Sequence, residues 1–149
     1  MVKKKEKGVT MGVFSNLIYK FHRTKHKRNK KYYLLKDRKT LTVNSIPQDA
    51  NIHIIKSWRD KFTSLIQPKD ITMKDGYLLR NVRGFNSFGI FYQLDVIFCN
   101  KNFEVISTIQ NFGSQKMSHY FFECYFVYCL APGMIKFLNI KTNDILRII

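Results

Sequence analysis

At 149 residues the chain has room for one domain with its own core, and a content of 45% hydrophobic and 15% aromatic residues, almost all Phe and Tyr, excludes global disorder. The formal charge of +16 suggests a nucleic-acid footprint, but residues 1 to 39 hold 14 Lys and Arg against two acids, a net of +12, while residues 40 to 149 hold 12 against eight, a net of +4. This excludes a uniformly basic domain and leaves a mildly basic body behind a strongly basic leader.

The leader opens with Lys3-Lys4-Lys5-Glu6-Lys7, and Met11 is the expected natural start. From there Val13, Phe14, Leu17, Ile18 and Phe21 recur at helical spacing, which suits an amphipathic helix lying on an anionic surface; a frayed, solvated terminus is the alternative. Arg23, Lys25, Lys27, Arg28, Lys30 and Lys31 follow, with Tyr32 and Tyr33 behind them. Such a run can neutralise phosphates of a membrane or a nucleic acid, and Lys-rich runs also simply keep chains soluble. His22 and His26 stand four apart, but a cationic run repels metal and no third ligand is near, so no metal is expected. Residues 1–31 are therefore read as an extension and 32–149 as a single domain. No stretch reaches the ~20 apolar residues of a spanning helix, and a basic run replaces the small-residue cleavage site of a secretory signal.

The body begins near Tyr32. Residues 32–43 read as two short strands about a turn at Lys36 to Lys39, and Asn51 to Ile55 as another after the breaker Pro47. One short helix stands out: Trp58, Phe62, Leu65 and Ile66 share a face, Ser57 can cap the start and Pro68 lies beyond the end. After a turn at Asp75-Gly76 the chain returns to period two. Phe88, Ile90, Tyr92, Leu94, Val96 and Phe98 form an apolar face of one long strand, with Ser87, Gly89, Gln93 and Asp95 on the other. Asn100-Lys101-Asn102 is a hairpin turn, Phe103 to Ile109 the return strand, and Phe121 to Leu130 a strand apolar on both faces. Ala131-Pro132-Gly133 breaks it, and Lys141 to Asp144 leads into a last strand, Ile145 to Ile149. The succession predicts an all-β fold, a sandwich or rolled sheet of mainly antiparallel neighbours rather than βαβ units.

Asp95 is the leading candidate for chemistry, with Gln93 and Ser87 as polar neighbours on its face. As a desolvated carboxylate it could act as a general base; as scaffolding it would accept backbone N–H bonds from an adjoining loop, and this second reading is preferred. Asp144 is read as the organiser of the last turn, and His53 as a rim residue. Cys99, Cys124 and Cys129 form no C-x-x-C and are read as free buried thiols of a reducing, cytoplasmic compartment. There is no G-x-S-x-G and no Gly-rich phosphate loop, so hydrolase and nucleotide-cofactor readings have no motif behind them, and no cofactor is expected.

The order of a helix, then Phe85-Asn86-Ser87-Phe88-Gly89-Ile90-Phe91-Tyr92-Gln93-Leu94-Asp95-Val96, Phe98, Val127 to Gly133 and Asn143-Asp144-Ile145 resembles the bacterial and archaeal domain-of-unknown-function family 192, over residues 50 to 149 or so. The resemblance implies a prokaryotic protein with a compact jelly-roll-like β-sandwich and little about activity. The chain departs from the family at Asn86, where histidine is common, at Ile90 for methionine, at Cys129 for glutamate and at Asn143 for the closing glycine. If family sites used that histidine and glutamate, this chain lacks both. The resulting expectation is a non-catalytic binding or structural module, cytoplasmic and peripheral at the membrane if the leader meets lipid. Nucleic-acid binding through the leader is the first alternative, and an enzyme with a polar pocket of Asn86, Ser87, Gln93 and Asp95 the second.

Overall fold

A computed structural model describes residues 38–66, 68 and 70–149. The leader, its amphipathic stretch, the six basic residues between 23 and 31 and the expected boundary at residue 31 lie outside the described residues. The described body is mainly β. Its strands are β1 (Arg38–Val43), β2 (Ile46–Ile55), β3 (Asp75–Arg80), β4 (Leu94–Cys99), β5 (Val105–Phe112), β6 (Phe126–Leu130) and β7 (Leu146–Ile148). They form one mixed sheet in the order β5-β4-β6-β3-β2-β1-β7.

The sheet curls until its two edges meet. A bridge joins Glu104 to Ile145, and Val105 N–H donates to Asp144 O at 2.8 Å while Leu146 N–H donates to Phe103 O at 2.9 Å. Leu41, Ile52, Leu78, Ile97, Val105, Tyr128 and Leu146, one from each strand, fall in a single inner cluster. The alternate residues of the central strands form a second, outer cluster with Leu65, Phe85 and Ile90: Leu79 from β3, Val96 and Phe98 from β4, Val127 and Cys129 from β6. Burial on both faces is why β4 and β6 are buried at every position and why β6 reads as an unbroken apolar run.

Several expected boundaries move. Arg38 and Lys39 belong to β1 rather than to a turn, and Pro47 sits inside β2 opposite Thr42. Proline is tolerated there because β3 pairs only with Asn51–Ile55, so no partner on that side requires its missing N–H. Asp75 and Gly76 start β3, where a Cβ on Gly76 would come within 2.5 Å of Leu130 Cδ2. β2 and β3 are parallel, the one exception to antiparallel pairing among the described ladders. Parallel neighbours need a crossover, and the predicted helix is that crossover. It comprises a single α-turn, α1 (Trp58–Lys61), and a π-turn over Phe62–Ile66. Ser57 Oγ accepts from Asp60 N–H at 3.2 Å, as an N-cap does, and Leu65 is buried in the outer cluster, but Trp58 is 73% exposed. Met134–Phe137, which follows the break at Ala131-Pro132-Gly133, forms a second short helix, α2, that seats Met134 and Ile135 in the inner cluster.

Candidate functional site

The long strand expected over residues 85–98 is a strand only from Leu94 onward. Before it the chain turns: Gly89 takes φ 78°, Ile90 N–H donates to Ser87 O at 3.0 Å, and Phe88 is left 52% exposed. Ser87 anchors this segment away from β4. Its buried hydroxyl donates to Gly113 O at 2.7 Å and accepts from Lys116 N–H at 2.9 Å, which ties this segment to the loop after β5.

Asp95 is fully buried on the inner side of β4. Opposite it β5 carries a bulge, with Leu94 paired to Phe112 and Val96 to Ile109, and Asn111 takes φ 51°. Asp95 Oδ1 accepts from Asn111 N–H at 3.0 Å, which satisfies a donor the bulge takes out of the ladder. Its Oδ2 accepts from Ile135 N–H at 2.9 Å in the first turn of α2, whose own N-cap, Gly133, supplies no side-chain bond. One carboxylate thus fixes a bulge and a helix start 40 residues away in sequence.

The other predicted polar residues lie apart from it. Asn86 bridges to Met117, and its Oδ1 accepts from Lys61 Nζ at 3.3 Å. Lys61 is half-buried over the Phe85 ring, and burial lowers its pKa. Gln93 is exposed. Asp144 does organise the last turn: Oδ2 accepts from Lys141 N–H at 2.7 Å and Oδ1 from Asn44 Nδ2 at 2.9 Å, while Asn44 Oδ1 accepts from Ile145 N–H at 2.8 Å. The expected pocket of Asn86, Ser87, Gln93 and Asp95 is therefore not assembled, because two of its members are sealed into separate backbone junctions and Gln93 faces solvent.

His53 is buried rather than at the rim, tilted on Tyr77 with centroids 5.6 Å apart and with Nε2 3.6 Å from Asp75 Oδ1. All three cysteines are free and buried. Burial pushes each thiol up, Cys124 to about 11, so they stay protonated and weakly nucleophilic at neutral pH. Among the described residues no three His, Cys, Asp or Glu side chains group as metal ligands, and no helix is long and apolar enough to cross a membrane.

The open site lies at one end of the sheet. β3 and β4 both run antiparallel to β6, so their C-terminal ends arrive where β6 begins. There Tyr125 N–H donates to Cys99 O at 2.8 Å and Phe121 N–H to Arg83 O at 2.7 Å. The three loops enclose a cleft of about 490 Å³, lined by Asn81 and Arg83 after β3, Asn100 to Asn102 after β4, and Phe122 to Tyr125 before β6. Arg83 carries its guanidinium 5.1 Å from the centre of the Phe122 ring and donates to Tyr120 Oη at 2.8 Å. Lys101 Nζ lies 5.7 Å from the centre of the Tyr125 ring. Sequence reading missed this cleft because it placed Phe121 to Tyr125 in a buried strand; the interruption at Glu123 and the turn at Asn100 to Asn102 were the available signals.

No family model and no curated sequence matches the chain. Its structure is similar to that of a "putative transcription regulator" from Sinorhizobium meliloti, with 15% identity over 74% of this chain and 93% of that one and a TM-score of 0.62. It is also similar to a protein of unknown function from Novosphingobium aromaticivorans, with 16% identity over 74% and 83% of the two chains and a TM-score of 0.62. The likeness is one of fold. At such identity it carries no activity or partner to this chain.

Proposed function

We propose that this chain is a non-catalytic binding module whose leader, through Arg23, Lys25, Lys27, Arg28, Lys30 and Lys31, brings it to an anionic surface. The observation that carries the reading is Asp95: both oxygens of this buried carboxylate are engaged by backbone N–H groups, so it has no oxygen turned to a substrate. The uneven charge supports the second half, since most of the net charge stands before residue 40.

Kinship with the domain-of-unknown-function family 192, and with its jelly-roll-like form, belongs to the same reading. Asn143 supports it, holding φ 74°, the left-handed conformation that suits the closing glycine of that family and that asparagine tolerates. The curled sheet, whose strands all contribute to one inner cluster, is compatible with such a form.

The test compares the full chain with a variant carrying Gln at the six leader positions, on phosphatidylglycerol and phosphatidylcholine vesicles across a salt series. Binding to the anionic vesicles alone, lost in high salt and in the variant, is expected. Equal binding by the variant would refute the role given to the leader.

A further inference from the structure

The cleft at the start of β6 differs from the junctions at Asp95, Ser87 and Asp144 in that the cations on its walls are not committed to the backbone. Neither Arg83 nor Lys101 has a carboxylate within ion-pair distance among the described residues. Both lie over aromatic rings: Phe122, under Arg83, is 76% exposed, and Tyr125, under Lys101, is half-buried with its edge on Phe126. The loop between Asn100 and Glu104 is held by Asn100 Oδ1, which accepts from Asn102 N–H at 2.9 Å and Glu104 N–H at 3.0 Å, so Lys101 projects from a pinned turn. On the other wall Phe121 N–H to Arg83 O and Val82 N–H to Tyr125 O hold the Arg83 and Phe122 segments together. Aromatic faces beside uncommitted cations, on loops fixed by backbone bonds, make a preformed surface for a ligand that is flat and anionic at once.

We propose that this cleft binds single-stranded nucleic acid. A base stacks against Phe122 or Tyr125, the neighbouring phosphates lie on Arg83 and Lys101, and the amides of Asn81 and Asn102 with the carboxylate of Glu123 meet base edges. The volume of about 490 Å³ lies within the range of small-ligand sites, which suits one or two nucleotides. Glu123 argues against the headgroup of an anionic lipid such as phosphatidylglycerol, since a carboxylate on the wall repels a lone phosphate but accepts from the ring N–H or amino group of a base. The inference does not rest on the leader, which lies outside it, and it adds base contacts to a chain otherwise read as meeting only charge.

The test uses the full chain and a hexauridylate RNA carrying one 4-thiouridine, with affinity read by anisotropy and the crosslinked peptide mapped. Phe122→Ala and Arg83→Ala, singly and together, should each weaken binding, the stacking loss alone by roughly tenfold, and should abolish the crosslink in residues 120–125. Both side chains are exposed, so the variants should unfold like the parent; Lys101→Ala, in a different loop, is the second probe if one does not. The six-Gln leader variant should show a shallower salt dependence, since Arg83 and Lys101 still meet phosphates, yet keep the crosslink. Wild-type affinity in the cleft variants, or a crosslink confined to residues 1–37, would overturn the proposal and leave the leader reading standing. Phosphatidylglycerol vesicles released by Phe122→Ala, with RNA binding unchanged, would overturn it in favour of lipid.

Discussion

Asp95 and Arg83 lie on the same curled sheet and its loops, and both are ionisable, yet Asp95 is fully buried with two backbone donors while Arg83 is exposed over a phenyl ring with, among the described residues, only Tyr120 as a side-chain hydrogen-bond partner. The difference follows from what each region must satisfy. A bulge in β5 and the first turn of α2 both leave N–H groups without ladder partners, and burying either unpaired costs about 1–3 kcal/mol, so a carboxylate placed between them is consumed by scaffolding. At the start of β6 the loop backbones are satisfied by one another and by Asn100, and the side chains of Arg83, Lys101 and Phe122 are left for other contacts. In this molecule burial of a polar group marks architecture, and exposure beside an aromatic ring marks the candidate for binding.

Substitutions along that contrast should fall in a definite order. Ile97→Ala, in the inner cluster, should cost the most, about 2–5 kcal/mol in urea unfolding, because it opens a cavity in a cluster fed by every strand. Ser87→Ala should cost about 1–3 kcal/mol, since the carbonyl of Gly113 and the N–H of Lys116 both lose a partner in a buried junction. Phe122→Ala should change stability by no more than about 0.5 kcal/mol, as expected of an exposed ring. A large loss at Phe122 would break the comparison by making the cleft part of the scaffold.

The parts of the fold that could be read from the sequence were those where one physical term acted alone. Period two over Leu94 to Phe98 and the apolar run at Phe126 to Leu130 marked the central strands, and the Asn100 to Asn102 turn marked a hairpin. The parallel pairing of β2 with β3 was not legible, because one turn of helix followed by a π-turn leaves a short periodic signal that says nothing of where the chain returns. The extension of strand character back to Phe85 failed because Ser87 ties its segment to Gly113 and Lys116 in the loop after β5 and Gly89 takes a left-handed turn, and alternation of apolar residues does not report this. For the site, the sequence singled out Asp95 and Asp144 as bearing hydrogen bonds. It could not show that β3, β4 and β6 bring Arg83, Lys101 and Phe122 to one end, since that depends on strand order.

The most direct test of the central claim is the urea unfolding curve of Asp95→Asn, read together with the hexauridylate affinity of the protein that remains folded. The amide keeps one acceptor and turns an N–H₂ against a backbone donor, so the midpoint should fall by the equivalent of about 2–3 kcal/mol with an unchanged slope, and the affinity should stay at the wild-type value. A variant as stable as the parent that no longer binds would contradict the account, and would return Asp95 to the functional site.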